Sequence, residues 1–312
     1  MSELHSRHLL GLEEVPAEDL TLILDTAKTF REIIDRRIKK VPTLRGITVV
    51  NLFYEPSTRT KISFELAEKR LSADSIGFSK STSSVTKGES LRDTVQNIEA
   101  MRIDMVVVRH SSSGAPYQLT KWLDANIINA GDGSHEHPTQ ALLDMFTIRQ
   151  KYGSLEGLRV VLVGDVKHSR VIRSNIWGLK TMGASVALCG PSTLMPRDVN
   201  RFECDVYTDL DEALDGADVV NVMRIQLERQ EAGLFPSMRE YTNLFGLTRD
   251  RLKRLNENYT IMHPGPINRG VEMSTEVADG DQSVILDQVT NGQAVRMAVL
   301  YLLSGRKGEE GE

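Results

Sequence analysis

The sequence predicts a two-domain α/β protein, each domain a parallel sheet flanked by helices, with a cleft between them. Three observations predict it. The chain has 312 residues, room for two domains at about 100–200 residues each. Short apolar, β-branched runs alternate along it with stretches long enough for helices, the pattern of parallel sheets with helical crossovers. The alternation falls into two series, one before Lys151-Tyr152-Gly153 and one after.

Taken in order, Leu20, Ile23, Leu24, Ala27, Phe30 and Ile34 recur at helical spacing from Glu18, after Pro16, which suits a helix start. Ile47 to Phe53, mostly apolar and β-branched, reads as a strand buried on both faces. Met105–Val108, Ile127-Ile128, Val160–Val163, Val186–Leu188 and Val219–Val222 share that character. Leu91 to Met101, Pro138 to Lys151 and Ser169 to Met182 read as helices between them, and Ala294 to Leu303 as a terminal helix able to pack on either domain. Ser79 to Ser84, rich in Ser and Thr, reads as a flexible loop.

A charged fraction of 26% beside 40% hydrophobic residues excludes the disordered, collagen-like and membrane classes. Net charge is −5 and the Lys and Arg residues are scattered, so no basic stripe calls for nucleic acid or anionic lipid. The N-terminus lacks an apolar signal core, and no window reaches the ~20 apolar residues of a membrane span. The two cysteines, Cys189 and Cys204, form neither a disulfide framework nor a zinc motif. A cytoplasmic protein is expected, and Asn258-Tyr259-Thr260 matches a glycosylation acceptor only formally.

Chemistry is concentrated in a few segments. Ser57-Thr58-Arg59-Thr60 follows the first strand and opens a helix marked by Ile62, Leu66, Lys69 and Leu71. A helix N-terminus presents free N–H groups and the positive end of the dipole, and here three hydroxyls and a guanidinium join them, a cradle for phosphate. N-capping by Ser57 or Thr58 is the plainer reading, but it leaves Arg59, a cation the dipole disfavours, unexplained. Arg109 follows another strand, at the sheet edge where ligands sit in open parallel sheets. His137, just before a helix, is placed to donate to an oxygen gaining negative charge. Capping, or a metal site of His135, Glu136 and His137, competes for it, although neighbours on a tight turn seldom aim two imidazoles at one ion. Arg170 at a helix start, and Arg224 with Gln226 after a strand, suit carboxylates, with surface salt bridges as the alternative. GxGxxG and Walker motifs are absent, which removes support for a nucleotide cofactor.

The loop Phe53-Tyr54-Glu55-Pro56 with Ser57–Thr60 resembles the carbamoyl-phosphate loop of the aspartate/ornithine carbamoyltransferase family. Further motifs fall in that family's order: Val108-Arg109-His110, His137-Pro138-Thr139-Gln140, Gly164 to Arg170, Arg224-Ile225-Gln226 and His263-Pro264-Gly265-Pro266. The resemblance covers nearly the whole chain. It implies a carbamoyl-phosphate domain of residues 1–148 and 292–312, an acceptor domain of 149–291, and an active site in the cleft. It assigns Ser57, Thr58, Arg59, Thr60, Ser83 and Lys87 to phosphate, and Thr60, Arg109 and His137 to the carbamoyl oxygen. Gln140, with the Pro266 carbonyl, takes the carbamoyl amino group, and Gly265 belongs to the carbamoyl-phosphate set. Arg170, Arg224, Gln226 and Lys87 hold the acceptor.

Two carboxylates ask for two arginine-type receptors, whereas ornithine's ammonium asks for an acidic or polar one. Arg224-Ile225-Gln226 resembles the aspartate branch, and the ornithine branch's His-Cys-Leu-Pro is replaced by His263-Pro264-Gly265-Pro266. The expected reaction is therefore carbamoyl transfer to aspartate, with neither metal nor organic cofactor. The resemblance also implies a homotrimer with shared active sites, Ser83 and Lys87 reaching a neighbour's, and leaves association with regulatory chains or a dihydroorotase open. Some members place an arginine directly after the proline; here Arg269 comes two residues later than that, where ligand contact and bracing of the loop are both open to it. A non-catalytic metabolite-binding relative and a metal-dependent hydrolase are the competing classes.

Overall fold

The structure, a computed structural model, describes residues 3–79, 90–225 and 237–305. The chain divides into two compact units, Met1–Phe146 with Thr290–Glu312, and Thr147–Val289.

In the first unit α1 (Ala17–Asp35) buries the stripe Leu20, Ile23, Leu24, Ala27, Phe30, Ile33 and Ile34. There follow β1 (Thr48–Phe53), α2 (Thr58–Leu71), β2 (Asp74–Ser79), α3 (Leu91–Glu99), β3 (Met105–His110), α4 (Ala115–Leu119), β4 (Asn126–Asp132) and α5 (Pro138–Tyr152). All four strands are parallel, in the order β2-β1-β3-β4. Branched side chains fill one face: Val50, Leu52, Val106, Val108 and Ile127 of the sheet pack with Val95, Ile103, Leu119 and Leu123. The chain builds outward from β1 to β2, then returns past β1 to add β3. The direction of winding thus reverses between β1 and β3, and at such a reversal the loops diverge and leave a crevice at the carboxyl ends of the strands. Ser79, expected to open a loop, ends β2 instead, and 80–84 lie outside the described residues.

The second unit repeats the plan with β5 (Arg159–Val163), α6 (Arg170–Thr181), β6 (Ser185–Cys189), β7 (Asp205–Tyr207), α7 (Leu210–Leu214), β8 (Val219–Val222), α8 (Met238–Phe245), β9 (Thr260–Met262) and α9 (Thr275–Ala278). α10 (Ile285–Ser304) begins here and from Thr290 belongs to the first unit. The sheet is parallel throughout, ordered β7-β6-β5-β8-β9, so its winding reverses between β5 and β8. The backbone is crowded at that reversal. Gly164 has φ +136° and a Cβ there would lie 3.1 Å from Met223 Cβ, so the turn after β5 passes against the end of β8 only because it carries no side chain. Cys189 and Cys204 are free thiols, and burial pushes the Cys189 thiol up to about 12, so it is an inert core group. Among the described residues no helix is long and apolar enough to cross a membrane.

Candidate active site

Each reversal point carries the cations singled out in the sequence. In the first unit β1 runs out at Phe53 and the chain turns into α2 with Ser57 as N-cap. The Ser57 hydroxyl makes no capping bond, and no acidic side chain occupies the first turn. Side-chain capping, the plainer reading of this segment, is therefore not what the structure uses here. Thr58 and Arg59 are exposed and Ser57 and Thr60 half-buried, so hydroxyls, backbone N–H groups and a guanidinium share the positive end of the helix dipole.

Arg109 pairs with Phe53 in the β1–β3 register, one strand across the reversal. Only 8% exposed, its guanidinium is held from two sides: Nη1 donates to the Ala130 carbonyl at 3.1 Å and Nη2 to Glu55 Oε1 at 2.6 Å. Ala130 lies on β4 and Glu55 on the loop after β1, so two neighbouring strand ends fix one cation. His137 precedes α5, and its carbonyl accepts the N–H groups of Gln140 at 3.0 Å and Ala141 at 3.4 Å. Its buried ring is thereby anchored at the helix start. Gln140 Nε2 donates to Asp144 Oδ1 at 3.0 Å, one turn along α5.

The acids beside His137 hold backbone. Glu136 accepts the N–H groups of Leu12 at 2.7 Å and Glu13 at 3.3 Å, and it sits so close against Gly11 that a Cβ there would collide with its carboxylate. Asp132 accepts from Gly114 N–H at 2.6 Å, Asn129 Nδ2 at 2.8 Å and Glu136 N–H at 3.2 Å. Among the described residues no group of three His, Cys, Asp or Glu side chains is arranged to hold a metal ion.

In the second unit Ser169 caps α6, its hydroxyl accepting the Ile172 N–H at 3.2 Å, and Arg170 is the buried first residue of the helix. The turn leading there is shaped by Asp165, whose carboxylate accepts the His168 N–H at 3.0 Å. Arg224, half-buried, comes two residues after β8. The next residue, Ile225, donates its N–H to Glu272 Oε1 at 2.9 Å, while Asn268 donates its N–H to Oε2 at 2.8 Å and its Nδ2 to Oε1 at 2.7 Å. Burial pushes the Glu272 carboxyl above its ordinary value, and these donors act against that. One buried carboxylate thus joins the loop carrying Arg224 to the loop Gly265–Asn268. Gly265 has φ +63°, a conformation that favours glycine, and its N–H donates to His263 Nδ1 at 2.8 Å. Arg269 makes a two-bond pair with Asp279, at 2.8 and 2.7 Å, so it braces its own loop.

Ser83, Lys87 and Gln226 lie outside the described residues. Among the rest, the first unit collects Ser57–Thr60 and Arg109 at one reversal, with His137 and Gln140 after β4, and the second collects Arg170 and Arg224 at the other. Glu55, Asp144, Asn268 and Glu272, which hold these side chains or their loops, were not singled out as functional in the sequence. Only Gln140 and Asp144, at i, i+4, had a spacing that could have revealed them.

Two doubly wound parallel sheets, each with cations at its reversal point, define an α/β protein built to bind two anionic substrates. Residues 7–150 match the family description "Aspartate/ornithine carbamoyltransferase, carbamoyl-P binding domain", and residues 156–303 match "Aspartate/ornithine carbamoyltransferase, Asp/Orn binding domain". The chain belongs to the aspartate/ornithine carbamoyltransferase family. It is 59% identical over 304 residues, 97% of either chain, to the aspartate carbamoyltransferase catalytic subunit of Halothermothrix orenii. Its fold is similar to ornithine carbamoyltransferase from Pyrococcus furiosus, at TM-score 0.87 and 29% identity over 99% of this chain and 100% of that one. It is comparably similar to aspartate transcarbamoylase from Trypanosoma cruzi in complex with N-(phosphonacetyl)-L-aspartic acid, at TM-score 0.85 and 30% identity over 94% of both chains. Fold alone therefore does not select the acceptor, and side chains must.

Proposed function

We propose that the protein transfers the carbamoyl group of carbamoyl phosphate to the α-amino group of L-aspartate, giving N-carbamoyl-L-aspartate and phosphate, a step of pyrimidine synthesis. The observation that carries this reading is the pair Arg170 and Arg224 at the β5/β8 reversal, two guanidiniums suited to the two carboxylates of aspartate. The relative from Halothermothrix orenii, named for the aspartate reaction, supports it.

In this reading Ser57, Thr58, Arg59 and Thr60 bind phosphate at the N-terminus of α2, joined by Ser83 and Lys87. Thr60, Arg109 and His137 donate to the carbamoyl oxygen; Gln140, with the Pro266 carbonyl, receives the amino group, and Gly265 lies in the same carbamoyl-phosphate set. Arg170, Arg224 and Gln226, with Lys87, hold aspartate. The aspartate nitrogen attacks the carbamoyl carbon, forming a C–N bond and an oxyanion. The oxyanion collapses as the C–O bond to phosphate breaks, and the departing phosphate takes the proton from nitrogen. No covalent enzyme intermediate is needed, and catalysis is positioning plus electrostatic stabilisation of the oxyanion.

The residue division 1–148 with 292–312 and 149–291 belongs to the same proposal, as does a cytoplasmic homotrimer in which Ser83 and Lys87 serve a neighbour's site. Ile62 and Leu66, exposed one turn apart on α2, and exposed Ile76 on the edge strand β2 support an interface on the first unit. The designation of the relative from Halothermothrix orenii as a catalytic subunit leaves association with further chains, regulatory or a dihydroorotase, open.

Carbamoyl transfer assayed with aspartate and with ornithine side by side tests the reaction. Equimolar carbamoyl aspartate and phosphate, unaffected by chelator, is expected. Transfer to ornithine, or phosphate release that chelator abolishes, contradicts it.

A further inference from the structure

Gln140 and Asp144 stand one turn apart on α5, and their bond has a direction. Asp144, fully buried, accepts at Oδ1 from Gln140 Nε2 at 3.0 Å. A carboxylate only accepts, so it selects one of the two orientations of the Gln140 amide, nitrogen toward Asp144 and oxygen away. The charge on Asp144 is opposed by Arg296 of α10: burial pushes this guanidinium down to about 10, and the Asp144 charge acts against that. Arg296 is itself fixed, Nη1 donating to the Gly292 carbonyl at 2.9 Å and to Ser63 Oγ at 3.0 Å. Ser63 lies on α2 one turn beyond Arg59, so the buried pair also spans to the helix whose N-terminus is assigned to phosphate.

We propose that Asp144 is the residue that sets donor specificity, orienting Gln140 so that its Oε1 accepts from the carbamoyl amino group and thereby selecting carbamoyl phosphate over acyl phosphates of the same shape. This rests on the assignment of Gln140 to that amino group. Acetyl phosphate is the informative comparison. Its methyl group matches the amino group in size but donates no hydrogen bond, so it leaves an acceptor unsatisfied, at a cost in affinity of about 10- to 100-fold. Asp144 touches no substrate; it acts through Gln140.

The test is calorimetric binding of carbamoyl phosphate and of acetyl phosphate to the full-length protein, wild type and Asp144→Asn. In the variant the guanidinium of Arg296 draws the carbonyl of the introduced amide, whose nitrogen then faces Gln140 and turns the Gln140 amide over. The wild type should bind carbamoyl phosphate at least about tenfold tighter than acetyl phosphate. In the variant that ratio should fall toward one, through weaker carbamoyl phosphate binding with acetyl phosphate little changed. If Asp144→Asn does not fold, Asp144→Leu/Arg296→Met removes both buried charges together, a replacement buried ion pairs often tolerate, and should show the same loss of ratio. Equal affinities in the wild type, or a variant in which both affinities drop by the same factor, would overturn the proposal and leave Asp144 a structural residue. A wild type that binds neither phosphate overturns the carbamoyltransferase reading itself, and this inference with it.

Discussion

Glu55 holds Arg109: its Oε1 lies 2.6 Å from Arg109 Nη2, joining the loop after β1 to the carboxyl end of β3. With Nη1 on the Ala130 carbonyl, the guanidinium is oriented before any ligand arrives. An ammonium cannot satisfy two such partners and a substrate oxygen from one position. Arg109→Lys should therefore lower kcat by about 100- to 1,000-fold, the cost of losing one oxyanion donor. Steady-state kinetics check this, and near-normal kcat would remove Arg109 from the carbamoyl oxygen.

Glu272 should matter to aspartate more than to carbamoyl phosphate. It binds the Ile225 N–H and the Asn268 N–H and amide within the second unit, so Glu272→Gln places an NH2 group against a donor and loosens the loop that carries Arg224. Steady-state kinetics should show the KM for aspartate rising about tenfold, the scale of one lost charge-assisted bond, with a smaller loss of carbamoyl phosphate affinity because the same carboxylate holds the loop Gly265–Asn268.

Glu68 gives the first unit a pH dependence. Buried under β1, where Asn51 Nδ2 donates to its two oxygens at 3.0 and 2.9 Å, it is raised by desolvation from 4.5 to about 7. A carboxyl raised on folding binds its proton more tightly in the native state. Its contribution to stability is full below about pH 4.5 and lost as pH rises through about 7, a swing of at most about 3 kcal/mol. Chemical denaturation of Glu68→Gln should show that swing absent, the variant gaining on the wild type between about pH 5 and pH 8.

Shared sites predict complementation. Lys87→Ala and Arg109→Ala, each inactive alone, should recover activity when dissociated and reassembled together, because about a quarter of the sites in a random equal mixture combine an intact Arg109 with an intact Lys87 from its neighbour. Reassembly, confirmed by mass, without activity would mean each site is built within one chain.

The central strands were legible because burial on both faces demands uninterrupted apolar, branched runs: Ile47–Phe53 became Thr48–Phe53, and Val160–Val163 became Arg159–Val163. Among the described residues three edge strands, β2, β7 and β9, were not, whereas the edge strand β4 showed through Ile127-Ile128. Asp74–Ser79 places Asp, two Ser and Gly in an edge strand, and Asp205–Tyr207 and Thr260–Met262 are three residues each, too short for a periodicity to register. The residues proposed to meet ligands stood out in the sequence because hydroxyls and guanidiniums at strand ends and helix starts have few structural reasons to be there. Their supports did not: Glu55 meets Arg109 only through strand register, and Glu272 reaches Ile225 from 47 positions away.

The division of labour between the two units is the central claim, and calorimetry on two variants tests it most directly. Carbamoyl phosphate should bind the wild type and Arg224→Ala alike, while Arg59→Ala, which loses a charge-assisted contact at an exposed position without touching the core, should fold normally and bind it at least about tenfold more weakly. Normal binding by Arg59→Ala, or binding lost in Arg224→Ala, would contradict the assignment of phosphate to the first unit and aspartate to the second.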